Sequence, residues 1–275
     1  MRKNLKSIFN FYINSSLHVA IAVVCLSAVS LLNFGHNLSV SLLLFIFLGT
    51  ITSYNFVKYA GIAKFHHSNL PKSLKSIQLF SVFIFLGLII STFYQPVEIL
   101  IIASISGLFT LLYALPVFSR NRNLRALPGL KIYVIGVVVS IVTVLMPLVL
   151  NEDLFQRDVV IEFLQRFLLV IALVIPFEIR DLNSDTAQLN TIPQKIGVAR
   201  SKMLGYTLII LVISAEFLKQ EILPENLWSL IGVGIITILF LNRSQIKQGE
   251  YYASFWVEAI PIMWILMLFG LAGIL

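Results

Sequence analysis

Apolar residues run through this chain in long blocks broken by short polar stretches, with neither the strict alternation of a strand nor the one-sided period of a soluble helix. A helix needs about 20 mainly apolar residues to cross the hydrocarbon core of a bilayer, because every backbone polar group must be satisfied inside the segment. The pattern predicts nine such spans, running approximately from Ser16 to Phe34, Leu38 to Lys58, Leu74 to Tyr94, Pro96 to Leu115, Leu130 to Leu150, Val159 to Asp181, Lys202 to Leu218, Leu227 to Asn242 and Ala253 to Leu275. A basic start (Arg2, Lys3, Lys6) before an apolar run ending in Ser27, Ala28 and Ser30 also has the form of a signal peptide. That run is long for a signal, and eight further spans follow it. The expectation is an all-α membrane protein of nine transmembrane helices. No low-complexity tract or Pro/Gly/Ser linker divides the chain, so residues 1–275 are expected to form one transmembrane domain.

Composition agrees: 58% of the 275 residues are hydrophobic, 12% are charged, and the mean hydropathy is +0.92, which excludes an ordinary soluble domain. A lone cysteine, Cys25, excludes a disulfide scaffold. The net charge of +7 could serve a nucleic acid, but the apolar blocks leave no basic soluble face, so no nucleic acid is expected as a partner.

The charge has another use. Basic residues collect in alternate connections: the N-terminus, then Lys58, Lys64, Lys72 and Lys75, then Arg120, Arg122, Arg125 and Lys131, then Arg180, Lys195, Arg200 and Lys202, then Arg243 and Lys247. Only Arg157, Arg166 and Lys219 of the 20 lie elsewhere, and the opposite connections carry Glu152, Asp153, Asp158, Glu221 and Glu225. Cytoplasmic loops of membrane proteins hold the excess of Lys and Arg, so the N-terminus is expected in the cytoplasm and the C-terminus outside. In a bacterium this would be the inner membrane. The longer connections follow spans two, four and six, which directs the search for chemistry to the cytoplasmic side.

The richest polar segment ends span six: Glu178-Ile-Arg-Asp181-Leu-Asn-Ser-Asp185. Carboxylates are costly near a membrane, and on a continuous helix these three fall within roughly 60° of one another. Mg²⁺, which bridges carboxylates to substrate phosphates, would relieve their repulsion. They also fit a solvated helix end paired with Arg180 and Lys195.

This segment, followed by Thr191-Ile-Pro-Gln-Lys195-Ile-Gly197, resembles the second Asp-rich motif of the UbiA superfamily of intramembrane prenyltransferases, an Asp-x-x-Asp-x-x-x-Asp pattern before a Thr-Leu/Ile-Pro…Gly run. Nine spans with long inner loops after spans two, four and six are similar to that family over the whole chain. The resemblance implies transfer of a polyisoprenyl group from its diphosphate to an acceptor, often aromatic, in a helical cavity open to membrane lipid. It implies Asp181 and Asp185 as catalytic Mg²⁺ ligands, with Glu178 standing where the family usually has Asp.

The first Asp-rich motif departs from the family. Its place reads Asn55-Phe56-Val57-Lys58-Tyr59-Ala60-Gly61-Ile62-Ala63, so only the Asn remains and Phe56, Tyr59 and Ala63 replace the acids. Lys58, on one face with Asn55 and Tyr59, could supply fixed positive charge where a metal would sit, or could snorkel as an interfacial anchor. The resemblance further implies diphosphate contacts from Tyr113, Arg125 and Lys131, although Val117 replaces the Lys of the family's Tyr-x-x-x-Lys element. Lys195 and the intramembrane Glu258 complete the substrate-binding candidates, Glu258 as a group that orients the acceptor.

Other ionisable residues have plainer explanations. His66 and His67 read as loop residues, and Glu162 and Arg166, four apart, as a helix-stabilising pair. His18, an intramembrane ionisable group of the first span, is by contrast a functional candidate by default. The 21 Phe residues could line an isoprenoid tunnel or simply face lipid. The missing acids leave a second reading open: a fold that binds an isoprenoid lipid, or partners another membrane enzyme, without catalysis. A phosphatidyl-type phosphotransferase lacks its Asp/Gly pattern here, and a transporter would place its polar groups at the midplane.

Overall fold

The structure, a computed structural model, describes residues 2–59, 72–116, 127, 129–184, 189–271 and 273, with the backbone alone for 2–4, 72 and 73. Among the described residues all regular structure is helical: α1 (Arg2–Asn14), α2 (Leu17–Asn33), α3 (Val40–Tyr59), α4 (Lys72–Thr92), α5 (Val97–Ala114), α6 (Lys131–Ser140), α7 (Met146–Leu148), α8 (Arg157–Asp181), α9 (Ile192–Glu216), α10 (Pro224–Arg243) and α11 (Ile260–Leu271). A π-helical turn, Ile141–Leu145, joins α6 to α7, and another, Tyr252–Val257, leads into α11. Eight of these stretches are long and apolar enough to cross a membrane, and α1 with α2, bent by 52°, makes a ninth candidate. Each expected apolar block therefore coincides with a helix.

Two elements differ from expectation. The seventh span begins at Ile192, ten residues before the expected Lys202, because Thr191-Ile-Pro-Gln194 forms a capping box with Pro193 in the first turn. Gly197 then breaks the helix at φ 79° and ψ 164°, a backbone conformation open in practice only to glycine. The N-terminal residues, expected only as a basic leader, form the amphipathic α1. Leu5, Ile8, Phe9, Tyr12 and Ile13 recur at helical spacing. Phe9 packs edge-on against Tyr251 and Phe255 at centroid distances of 4.9 and 5.2 Å.

The core lies between α2, α8, α9, α10 and α11, with a second cluster where α2 meets α3, α5 and the turn between α6 and α7. Helices in lipid gain little from apolar burial against one another, so close backbone approach matters more. A side chain at Gly205 would meet Leu241 of α10 at 2.7 Å, and one at Gly136 would meet Phe167 of α8 at 2.9 Å. Buried hydroxyls return to the carbonyl four residues back, as Ser27 does to Val23 and Thr237 to Val233.

On the side opposite the basic connections, Glu162 and Arg166 do far more than brace one helix. Arg166, fully buried, donates to Glu162 Oε1 at 3.0 Å, Ser30 Oγ at 2.9 Å and the Leu26 carbonyl at 2.7 Å, and lies 5.2 Å from the Trp264 ring. Lys219 closes the cluster with 2.8 Å contacts to both Glu162 and Glu216. Burial acts to lower the Lys219 ammonium, but these two carboxylates outweigh it and hold its pKa above the ordinary value.

Candidate functional site

The helices enclose a cavity of about 870 Å³, at the upper end of the range for small-molecule sites. Its interior wall is apolar, formed by Val19, Val23, Leu26, Phe45, Ile46 and neighbours on α5, α6 and α8. Its charged lining comes from the basic ends of the helices: Lys58 at the end of α3, Lys131 at the start of α6, Arg180 and Asp181 at the end of α8, and Glu250 and Glu258 around the π-helical turn before α11. Tyr54, Tyr113 and Tyr251 add hydroxyl groups. Three cations and three carboxylates, far apart in sequence, thus face one chamber.

Local contacts fix several of these groups. Lys58 donates to Ser16 Oγ at 3.1 Å, and Ser16 in turn donates to Asn55 Oδ1 at 2.8 Å. Ser16 holds a left-handed conformation, φ 65°, at the bend between α1 and α2. The Arg180 guanidinium grips its neighbour Asp181 as a fork, Nε to Oδ1 at 2.7 Å and Nη2 to Oδ2 at 3.0 Å, and lies 5.3 Å from the Phe177 ring. Glu250 is paired with Lys6 of α1 at 3.4 Å.

Of the residues singled out in the sequence, Lys58, Tyr113, Lys131, Asp181 and Glu258 line the cavity. Four others do not. Asn55 is buried and spends its amide on Ser16 and on Ser81 Oγ, 2.8 Å away, which ties α3 to α4 and to the α1/α2 bend. Tyr59 donates to the Asn14 carbonyl at 2.9 Å. Lys195 stands at the start of α9, its Nζ 3.2 Å from where a side chain on Gly129 would begin. Glu178, almost fully buried, accepts the Ile192 backbone N–H at 3.2 Å. There its charge meets the positive end of α9, an arrangement that needs no metal. Asp185 and Arg125 lie outside the described residues, as do Ala63, His66 and His67.

The structure also brings in Arg180, Tyr54 and Tyr251, which sequence reasoning left out of the site. Arg180 sits inside the acidic motif and was legible there as a partner for the acids. Nothing in the local pattern marks Tyr54 or Tyr251, because their convergence is tertiary.

No family model matches the sequence, and no curated protein does. Solved structures do. A UbiA homologue from Archaeoglobus fulgidus bound to GPP and Mg²⁺ superposes over 96% of this chain and 99% of its own, with a TM-score of 0.62 at 12% identity. A UbiA homologue from Archaeoglobus fulgidus bound to Cd²⁺ covers 94% of this chain and 99% of its own, with a TM-score of 0.61 at 13% identity. A structure of digeranylgeranylglyceryl phosphate synthase covers the whole of both chains with a TM-score of 0.58 at 18% identity. The chain has the UbiA-type fold.

With that fold and nine apolar helical stretches, the protein is an integral, multi-pass membrane protein. The metal of the UbiA homologue can be tested against the residues present. Mg²⁺ requires oxygen ligands in near-octahedral array. Among the described residues no three His, Cys, Asp or Glu side chains converge as a metal site. Phe56 and Tyr59 stand where the first acidic cluster would be, Glu178 is turned to α9, and both Asp181 oxygens are taken by Arg180. The described residues do not fit the two-cluster Mg²⁺ site that the resemblance implies.

Proposed function

We propose that the protein is an intramembrane prenyltransferase that binds a polyisoprenyl diphosphate, head group at the basic end and chain in the apolar interior, and passes the prenyl group to an aromatic or other small acceptor. The observation that carries this reading is the single cavity joining Lys58, Lys131 and Arg180 to an apolar interior large enough for an isoprenoid. The solved UbiA homologue with GPP bound supports it by likeness of fold.

In this reading the allylic C1–O bond breaks and its electron pair leaves with the diphosphate, whose growing charge the three cations stabilise. A nucleophilic atom of the acceptor forms the new bond to C1. Glu258, which lines the same chamber within electrostatic reach of Lys58 and Arg180, orients the acceptor and receives the proton it sheds. Asp181 holds the Arg180 fork in place. Asn55, Tyr59, Glu178 and Lys195 support the elements that carry the site, and Arg125 and Asp185 would join it from the adjoining loops. The basic face lies in the cytoplasm, with the inner membrane as its place in a bacterium.

Loss of the acids at positions 56 and 59 favours a second reading, in which the cavity binds the isoprenoid without transfer. Incubating the purified protein with labelled geranylgeranyl diphosphate and a membrane extract tests both. Diphosphate release together with a labelled lipid product supports transfer. Saturable binding without product supports the second reading, and no binding contradicts both.

A further inference from the structure

The disagreement between the UbiA-type fold and this chain's acidic residues has a physical resolution within the cavity. Where the resemblance implies a carboxylate cluster at the end of α3, the cavity instead receives the Lys58 ammonium. It is carried on a built support: the Ser16 hydroxyl at 3.1 Å, itself held by Asn55, which is 3% exposed and anchored to Ser81. On α8, the carboxylates that would take a metal are committed elsewhere, Asp181 to the Arg180 fork and Glu178 to the first turn of α9. The guanidinium that occupies Asp181 is itself a planar donor suited to phosphate oxygens.

From this exchange of carboxylate for ammonium, and of metal ligand for guanidinium partner, we infer that the phosphate head group is held directly by Lys58 and Arg180, without a divalent cation. The inference rests on the proposed reading of the cavity as a polyisoprenyl diphosphate site and specifies how that site meets its charge. A fixed ammonium on α3 does part of what a bound metal would do: it puts positive charge against the phosphate oxygens in a low-dielectric chamber. It also sets a different preference. A metal clamp bridges the oxygens of two phosphates, whereas Lys58 and Arg180 make separate hydrogen bonds and can hold a single phosphate. The site is therefore expected to accept a polyisoprenyl monophosphate nearly as well as the diphosphate.

The test is calorimetric titration of the full-length protein in detergent with geranylgeranyl diphosphate and geranylgeranyl monophosphate, in EDTA and in Mg²⁺. The expected result is binding of both ligands in EDTA, with affinity within about threefold of that in Mg²⁺. Lys58→Ala should weaken binding about tenfold or more, the loss of one charged hydrogen bond, and Lys58→Arg should retain most of it. Lys58→Asp, which puts an acid on α3 where the ammonium now lines the cavity, should bind poorly in EDTA and regain affinity in Mg²⁺. Wild-type binding seen only with Mg²⁺, or binding indifferent to Lys58→Ala in a protein that elutes and melts like wild type, overturns the inference while leaving the cavity reading intact. Absence of binding of either ligand under both conditions overturns the cavity reading, and this inference with it.

Discussion

Arg180 and Asp181, adjacent in sequence, face each other on the cavity wall as a two-bond fork, with N···O distances of 2.7 and 3.0 Å. The pairing orients the guanidinium and leaves its remaining N–H groups for other acceptors. It turns an acidic motif into the mount for a cation. In the proposed function Arg180 is then a head-group ligand, and Asp181 the group that positions it.

Arg180→Ala is expected to weaken geranylgeranyl diphosphate binding by about tenfold to a hundredfold, the range for a charged hydrogen bond lost with its charge. Arg180→Lys keeps the charge but not the fork, so it should recover only part of the affinity. Isothermal titration of the three proteins checks the order.

The length of the bound chain is open to test at Gly107. This residue lines the cavity, and a side chain begun there meets nothing within 4 Å. Gly107→Phe should fold, since leaving glycine inside a helix is favourable by up to about 1 kcal/mol. Its ring would occupy the chamber. Affinity for geranylgeranyl diphosphate should fall at least tenfold while dimethylallyl diphosphate is affected much less, and a competition series of donors of increasing length would show where the drop occurs.

Glu178 separates a metal ligand from a structural acid. Its acceptance of the Ile192 N–H at the head of α9 makes it structural, so Glu178→Gln should cost about 1 kcal/mol of stability and leave diphosphate affinity within about twofold. Thermal unfolding and titration on the same preparation give both values. A metal ligand would show the reverse.

The buried cluster of Glu162, Arg166, Glu216 and Lys219 makes a prediction about stability alone. Removing one member strands the others' charge, so Lys219→Met should destabilise by about 3 kcal/mol. The double variant Lys219→Met/Glu162→Gln should regain part of that, as a thermal-melt cycle would show. Because the Lys219 pKa is raised in the folded protein, its contribution is full below lysine's ordinary value of about 10.4 and is lost only as pH climbs through the higher folded value.

Much of this architecture is legible in the sequence, because a bilayer imposes a length and a polarity that few other environments demand. Among the described residues, each of the nine apolar blocks coincides with a helix. The misread parts have local causes. α1 was hidden by its charges, although Leu5, Ile8, Phe9, Tyr12 and Ile13 carry a helical period. The early start of α9 was written in Thr191, Pro193 and Gln194, capping chemistry that hydropathy does not register. The site was only partly legible. Helical spacing put Glu178 and Asp181 on one stripe, yet the entry of α9 draws Glu178 away, and Arg180 captures Asp181. Spacing cannot rank those competing partners. Convergence of Tyr54, Tyr251 and Glu258 depends on helices remote in sequence, and no local pattern encodes it.

The central claim is that one cavity reads a charged head and an apolar tail together. Its most direct test is competition against bound labelled geranylgeranyl diphosphate by the whole ligand, by geranylgeraniol and by inorganic diphosphate. The expected result is displacement by all three, with the whole ligand at least a hundredfold more effective than either fragment, each contributing a few kcal/mol. If geranylgeraniol competes as well as the diphosphate, the cations at Lys58, Lys131 and Arg180 take no part in recognition and the account is contradicted.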